Sequence, residues 1–410
     1  MMLNPEHIRH HYDSIKADLD RRGHPESELE DYVKSDREWR ESLQELEALK
    51  QKRNQSIPKG KPSDEERQLL GQLSSEIKTL EHRVNELDTQ QKESALKLPN
   101  RLNVSVPTGA DESENEIIRT WGTPREFDFK PLSHDELGEK LGILDSASGA
   151  KLAGSRFMVL KGLGAKLERA LASFMLDKHS NENGYSEINA PCLVNGSSLQ
   201  GTGQLPKFED DLYRIQEEDL YLSPTAEVQL TNLHAKDVLD ANDLPIKYTA
   251  LTNCFRKEAG SYGKDMKGLI RLHQFSKVEL VQFVHPDHSE AALESLLSDA
   301  ESILQALDLP YRVMRLCSGD IGFGSSHTYD IEVWFPSQNT YREISSCSNF
   351  LDFQSRRAMI RYKLNNEKPE YVHTLNGSGL AVGRTIAAIL ENFQTSDAQV
   401  SLPKSLEDYI

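Results

Sequence analysis

The sequence predicts an α+β protein: an N-terminal antiparallel helical hairpin, then a larger domain built on an antiparallel β-sheet flanked by helices. Three observations predict it. A narrow apolar seam at steps of three and four runs through residues 29–98. Beyond residue 116, short β-rich runs such as DIEVWF (330–335) and KVELVQFV (277–284) are separated by amphipathic helices. The regular strand–helix–strand rhythm of a parallel sheet is missing.

The hairpin is read first. Trp39, Leu43 and Leu46 recur at steps of four and three, and Leu73, Ile77, Leu80, Val84 and Leu87 resume the pattern after a break. Such a repeat, with Glu, Lys and Gln between, marks a coiled-coil seam. The break is SIPKGKPSDEE, residues 56–66, where Pro58, Gly60 and Pro62 end one helix. Ser63 followed by Glu66 is the capping-box pattern that starts the next. The formal charge of the chain is −17, a poor starting point for holding nucleic acid. The hairpin tip departs from that balance: Lys50, Lys52, Arg53, Lys59, Lys61 and Arg67 face only Asp64, Glu65 and Glu66. A phosphate-tracking arm and a plain dimerisation coiled coil both fit this segment.

Pro99, Asn100, Pro107 and Gly109 mark the exit from the arm, and a stretch rich in Ser, Asp and Glu runs on to residue 116. The expected domains are therefore 1–100, a connector 101–116, and 117–410. In the last, Leu167, Ala170, Leu171, Phe174 and Met175 form one helical face ahead of the strand region GYSEINAPCLV (184–194).

Several function classes are excluded. No apolar run approaches a membrane span, and the charged N-terminus lacks a secretory signal. The four cysteines lie far apart with no CxxC pair, which argues against a structural zinc site or disulfide scaffold and points to a reducing cytoplasm. There is no GxxxxGK[ST] loop. GSGLAVG (377–383) has the spacing GxGxxxG rather than GxGxxG and no following strand–helix–strand unit, so it is no dinucleotide fingerprint.

Four segments carry chemistry: TGQLPKF (202–208) leading to LSPTAEV (222–228); CFRKEAGSYGKDMKGLIRLHQFSKVELVQF (254–283); YREISSCSNFLDFQSRR (341–357); and HTLNGSGLAVGRTIAAILEN (373–392). In this order they resemble the bacterial-type seryl-tRNA synthetases, class II aminoacyl-tRNA synthetases. The likeness covers nearly the whole chain, arm included. It implies a class II catalytic domain, ATP-dependent activation of L-serine with Mg²⁺, transfer to tRNA(Ser) and, in many organisms, tRNA(Sec), and a cytoplasmic homodimer.

Activating a carboxylate with ATP needs cations around the triphosphate, a divalent ion, and an in-line approach to the α-phosphorus. The substrate carboxylate is the nucleophile, so no histidine or cysteine needs a catalytic role; His273, Cys254 and Cys347 read as structural. The spacing of Arg256 and Glu258 predicts a strand with both side chains on one face. The resemblance assigns Arg256 to the α-phosphate and the serine carboxylate, and Glu258 to the adenine amino group. It places Lys257 among the ATP-binding positions and Arg384 on the γ-phosphate; Arg256 and Arg384 are the catalytic pair. Glu343 and Ser346 match the Mg²⁺-contacting pair, a hard-oxygen set suited to that ion, and Ile344 and Ser345 between them offer backbone contact to the nucleotide. Thr225, Ala226, Glu227, Arg256, Glu279 and Ser378 match the serine-binding positions. Thr225 and Glu227 are expected on the ammonium group, Glu279 and Ser378 on the hydroxyl.

Two positions depart from the family pattern: Lys257 stands where Ser is usual, and His327 where Lys is expected. Both bear on affinity or on resistance to serine-adenylate mimics. The rival readings are a serine-activating paralogue, loading a carrier protein or conferring antibiotic resistance, and an inactive RNA-binding relative. Paralogues of the first kind usually lack the arm, and inactive ones lose Arg256, Glu343 or Arg384.

Overall fold

A computed structural model describes residues 3–259, 267–365 and 367–410; residues 260–266 of the second motif lie outside the described residues. The chain forms two compact units, Met1–Pro99 and Asn100–Ile410.

In the first unit, two short helices, Pro5–His10 and Tyr12–Arg21, precede two long ones, Glu26–Gln55 and Asp64–Lys97. The second long helix starts as its sequence dictates. Ser63 Oγ accepts from the Glu66 N–H at 3.2 Å, and the Glu66 carboxylate accepts from the Ser63 N–H at 2.7 Å. Two otherwise free donors are thereby satisfied. Along the seam Leu46, Leu73, Ile77, Val84 and Leu87 are buried, with Trp39, Leu43 and Leu80 packed beside them. At the hairpin base Ile8, Ile15, Leu19, Leu29, Tyr32, Ala95 and Leu98 close a separate apolar cluster. Beside it the buried Asp36 accepts from Arg9 (2.6 and 2.9 Å), Arg40 (3.0 Å) and Gln91 (2.9 Å), tying the first helix to both arm helices. Burial raises the Asp36 pKa, but the hydrogen bonds and charges of Arg9 and Arg40 outweigh it and hold the group below the usual carboxylate range.

The second unit is built on a sheet of eight strands among the described residues. From one edge to the other they are Glu116–Trp121, Tyr311–Arg315, His327–Phe335, Thr340–Asn349, His373–Ala381, Gln274–Val284, Ile246–Phe255 and Ser186–Glu187. All pairings are antiparallel except that of the short last strand, which runs parallel to Ile246–Phe255. Helices Leu163–Asn181, Ser289–Ala306 and Val382–Asn392 bury Leu167, Leu171, Met175, Leu296, Leu297, Ile303, Ile386 and Leu390 in the main core.

The period-two rule sorts the strand Gln274–Val284 cleanly. Its even-numbered Val278, Leu280 and Val284 enter that core. On the other face Val281 and Phe283 meet Ala226, Leu230, Ala250 and Ile360 in a second cluster.

The expected connector 101–116 clusters with the second unit, which begins at Asn100. Asn100 N donates to Phe323 O and Asn103 N to Ser326 O, both at 2.9 Å, and the Asn100 amide donates to Phe350 O at 2.7 Å. Leu102 and Val106 are buried against Leu316 and Ile321. The polar composition hid four anchoring positions, which gain partners only in the folded chain.

Candidate active site

A cavity opens on the sheet where three strands and two helix starts converge. It is lined by Thr225, Glu227, Arg256, Glu258, Arg271, Phe275, Lys277, Glu279, Glu343, Ile344, Ser346, Asn376, Ser378 and Arg384, among others. Phe275, Lys277 and Glu279 sit on the strand face that continues as Val281 and Phe283, so the cavity begins where that core cluster stops.

Two β-bulges aim the side chains. Ser345 pairs with Ile331 but Glu343 pairs with Glu332, which leaves Ile344 as an extra residue. Residues three apart normally face opposite sides of a sheet; the inserted Ile344 brings Glu343 and Ser346 to the same side. Likewise Val278 pairs with Leu380 and Glu279 with Ser378, leaving Gly379 extra and setting Ser378 opposite Glu279. Glycine is required at that bulge: its carbonyl lies 2.8 Å from His179 Nε2, and a Cβ there would come within 2.7 Å of the same nitrogen.

Arg256 and Glu258 also line the cavity, but not as strand neighbours. The strand Ile246–Phe255 ends before them. The chain then turns, with Glu258 at φ +54°, a left-handed conformation that non-glycine residues seldom adopt. Asp211 holds the turn: its carbonyl accepts from Lys257 N at 2.9 Å and its carboxylate from Ala259 N at 2.8 Å. His273 is structural, as its context predicts. Its carbonyl accepts from Arg256 N at 2.9 Å, and its Nδ1 donates to Arg256 O at 3.0 Å. The Arg256 Nε donates to Pro224 O at 3.3 Å, and its guanidinium carbon lies 5.3 Å from the Phe275 ring centroid.

Thr225 caps the short helix Ala226–Asn232, so the T-x-E stretch is a helix start. Burial foremost, then the charge of Glu279, pushes the Glu227 pKa up to about 7 against the opposing Gln354 hydrogen bond and the charges of Lys277 and Arg256. Glu279 is paired with Lys277, and Glu258 with Arg271. Arg384 donates to Ile270 O at 3.0 Å and to Glu343 O at 2.7 Å, and approaches the Glu343 carboxylate at 3.5 Å. That arginine, opposed by burial and helped by Arg256 and Arg271, holds Glu343 below the usual carboxylate range.

Glu343 and Ser346 together suit a hard cation. Their neighbour Asp330, opposite Ser346 in the sheet, keeps a buried Oδ1 with no hydrogen-bond partner among the described residues. No group of three or more His, Cys, Asp or Glu that could hold a metal occurs among those residues.

Three expected residues do not line the cavity. The Lys257 ammonium lies 5.8 Å from the Tyr213 ring centroid. Ala226 is buried in the second core cluster. Ser345, on the far side of its strand, donates to Ser378 O at 2.8 Å. His327, the other departure from the family pattern, is buried against Glu290 at 2.9 Å and does not line the cavity either. Sequence reasoning missed Arg271, Phe275 and Lys277. The last two were legible, because counting back by twos from Glu279 reaches both. The basic residues of the arm tip belong to the other unit.

Residues 2–102 match the family described as "Seryl-tRNA synthetase N-terminal domain". Residues 207–393 match "tRNA synthetase class II core domain (G, H, P, S and T)". The serine–tRNA ligase of Desulfosudis oleivorans is 53% identical, the match covering 100% of this chain and 98% of that protein. That of Listeria monocytogenes serotype 4a is 51% identical over 100% and 98%. Among solved structures, seryl-tRNA synthetase from Pyrococcus horikoshii complexed with ATP matches with a TM-score of 0.95 at 39% identity, over 100% of this chain and 98% of that one. Cytoplasmic serine–tRNA ligase from Naegleria fowleri in complex with AMP matches with a TM-score of 0.91 at 30% identity, over 100% and 97%. With its arm, its bulged antiparallel sheet and its cavity of guanidinium and carboxylate groups, the chain belongs to the seryl-tRNA synthetase family, the serine–tRNA ligases of class II.

Proposed function

We propose that the cavity joins serine to ATP as seryl-adenylate and that the seryl group then passes to the terminal adenosine of tRNA(Ser), or of tRNA(Sec) where an organism has it. One observation carries the reading: Arg256, Arg271 and Arg384 share a single cavity with Glu227, Glu279 and Ser378. Three guanidinium groups suit a triphosphate, each offering a planar fork that never loses its charge. The carboxylates and hydroxyl beside them suit a small polar amino acid.

In the first step the serine carboxylate oxygen attacks the α-phosphorus and pyrophosphate leaves. Arg256 holds the carboxylate and the α-phosphate in line, and Arg384 takes the charge gathering on the departing phosphates. Glu258 accepts from the adenine amino group, with Phe275 as the flat face beside it. Thr225 and Glu227 receive the ammonium group; Glu279 and Ser378 read the hydroxyl. A pocket that hydrogen-bonds the hydroxyl rejects alanine strongly, because its own polar groups are then left unpaired. Glu343 and Ser346 would hold Mg²⁺, which supplies charge neutralisation for the phosphates. Ile344 offers backbone contact to the nucleotide.

Lys50, Lys52, Arg53, Lys59, Lys61 and Arg67 are proposed to meet the phosphates of the tRNA, read through shape rather than base sequence. We further infer a cytoplasmic homodimer. No helix among the described residues is long and apolar enough to cross a membrane.

Serine-dependent ATP–pyrophosphate exchange, with and without tRNA, tests the activity. Glu279→Gln should raise the serine KM far more than the ATP KM and narrow the gap between serine and alanine. Equal loss for both substrates would leave Glu279 a support of the sheet.

A further inference from the structure

The Glu227 carboxylate is held from behind by a chain of buried side chains that no step above uses. Gln354, 1% exposed on the short helix Phe353–Ala358, donates from Nε2 to Glu227 Oε1 at 2.6 Å and to Thr202 O at 3.3 Å. Its Oε1 accepts from the hydroxyl of Thr374, 0% exposed, at 2.7 Å. On the other side Gln204 Nε2 approaches Glu227 Oε2 at 3.4 Å, and Gln204 is itself paired with Thr202.

An amide has one donor end and one acceptor end, and a flipped Gln354 would turn its oxygen toward the carboxylate. The Glu227 carboxylate and the Thr202 carbonyl are both pure acceptors and so fix the amide nitrogen on their side, while the Thr374 hydroxyl donates to the oxygen on the far side and holds the amide in place. A carboxylate offers about four acceptor sites, so two amides still leave room for an ammonium group.

We propose that Gln354, oriented by Thr374, is a positioning residue that holds Glu227 in the one rotamer that faces the ammonium group of serine. The relay rests on the assignment of Glu227 to serine made above. It also sets the charge of that group. Burial and Glu279 oppose ionisation of Glu227, while Lys277, Arg256 and the Gln354 donor favour it. Removing the donor therefore favours the protonated acid, which carries no charge and accepts from an ammonium group only weakly.

The test is steady-state ATP–pyrophosphate exchange across a pH series on the full chain. Gln354→Met, close in shape but without a donor, should raise the serine KM about tenfold or more with the ATP KM little changed. It should also move the acid limb of kcat/KM for serine to higher pH. Thr374→Val should do the same to a smaller degree, about three- to tenfold, and guards against a Gln354 variant that fails to fold. Thr374→Ser, which keeps the hydroxyl, should restore the wild-type limb. Glu227→Gln separates the two readings. If it raises the serine KM while Gln354→Met and Thr374→Val leave both KM and the acid limb in place, the relay is overturned and Glu227 stands. If Glu227→Gln also leaves the serine KM unchanged, the assignment of Glu227 to serine has failed, and the relay with it.

Discussion

Among the described residues Arg256 is fixed by its backbone bonds to His273 and by one guanidinium hydrogen bond, from Nε to Pro224 O, and its guanidinium lines the cavity. Arg256→Ala should cut serine-dependent pyrophosphate exchange about a hundredfold, roughly 3 kcal/mol of transition-state stabilisation. Thermal unfolding should hardly shift, because no core volume is lost; exchange within a few-fold of wild type would remove Arg256 from the chemistry. Glu227 makes a prediction of a different kind. Its folded pKa of about 7 lies above the reference value of 4.5, so the folded state holds this proton more tightly than the unfolded chain. The stabilisation is full below the reference value and is lost as pH rises through about 7. Serine, bringing an ammonium group to the ionised form, should therefore release protons on binding just below pH 7. Calorimetry in buffers of different ionisation heat reads that release directly, and a buffer-independent heat would refute it. At this scale the chemistry was legible from residue type and order, since carboxylates and arginines in four ordered motifs carry their own logic. The geometry was not. Nothing in EISS announces an extra residue at Ile344, yet without that bulge Glu343 and Ser346 would face opposite ways.

Secondary elements divide by how local their causes are. The hairpin was readable because its seam and its Ser63–Glu66 cap are short-range patterns. The Asp36 node at its base was not, because only Arg40 stands at helical i,i+4 spacing from it, while Arg9 and Gln91 reach it from two other helices. Asp36→Ala would leave those donors facing a buried gap, at a cost of about 3 kcal/mol, since breaking a buried charged network strands its remaining partners. Circular dichroism of the isolated residues 1–99 should show a lower Tm, and an unchanged melt would reduce the node to an incidental surface pair. The turn at Glu258 reads as strand in the sequence for the same reason. The Asp211 that holds it lies far away along the chain, at the end of the short 3-10 turn Glu209–Asp211.

Across the whole molecule, every cavity residue lies in Asn100–Ile410, while the basic tip lies in Met1–Pro99. Deleting residues 35–95 and closing the gap with a short linker should leave seryl-adenylate formation nearly intact while tRNA charging collapses. Reversing the charges of Lys59, Lys61 and Arg67 should do part of that damage and flatten the salt dependence of tRNA binding. Each phosphate that is no longer neutralised takes roughly 0.7–0.9 off the logarithmic slope. Undiminished charging by the armless protein would leave the hairpin a mere spacer, and charging of a carrier protein with tRNA ignored would favour the paralogue.

The strand His373–Ala381 lies inside the sheet, between Thr340–Asn349 and Gln274–Val284, although it follows both in the chain. It carries Ser378, and the helix behind it carries Arg384. During synthesis the two earlier strands emerge before the one that joins them, so the growing chain waits with its sheet divided and its site lacking one wall. The nascent enzyme can close its grip on substrate only after Arg384 has left the ribosome, and a message broken before that codon yields a polypeptide that keeps Arg256 and Glu343 but lacks the last of the three guanidinium groups of the cavity.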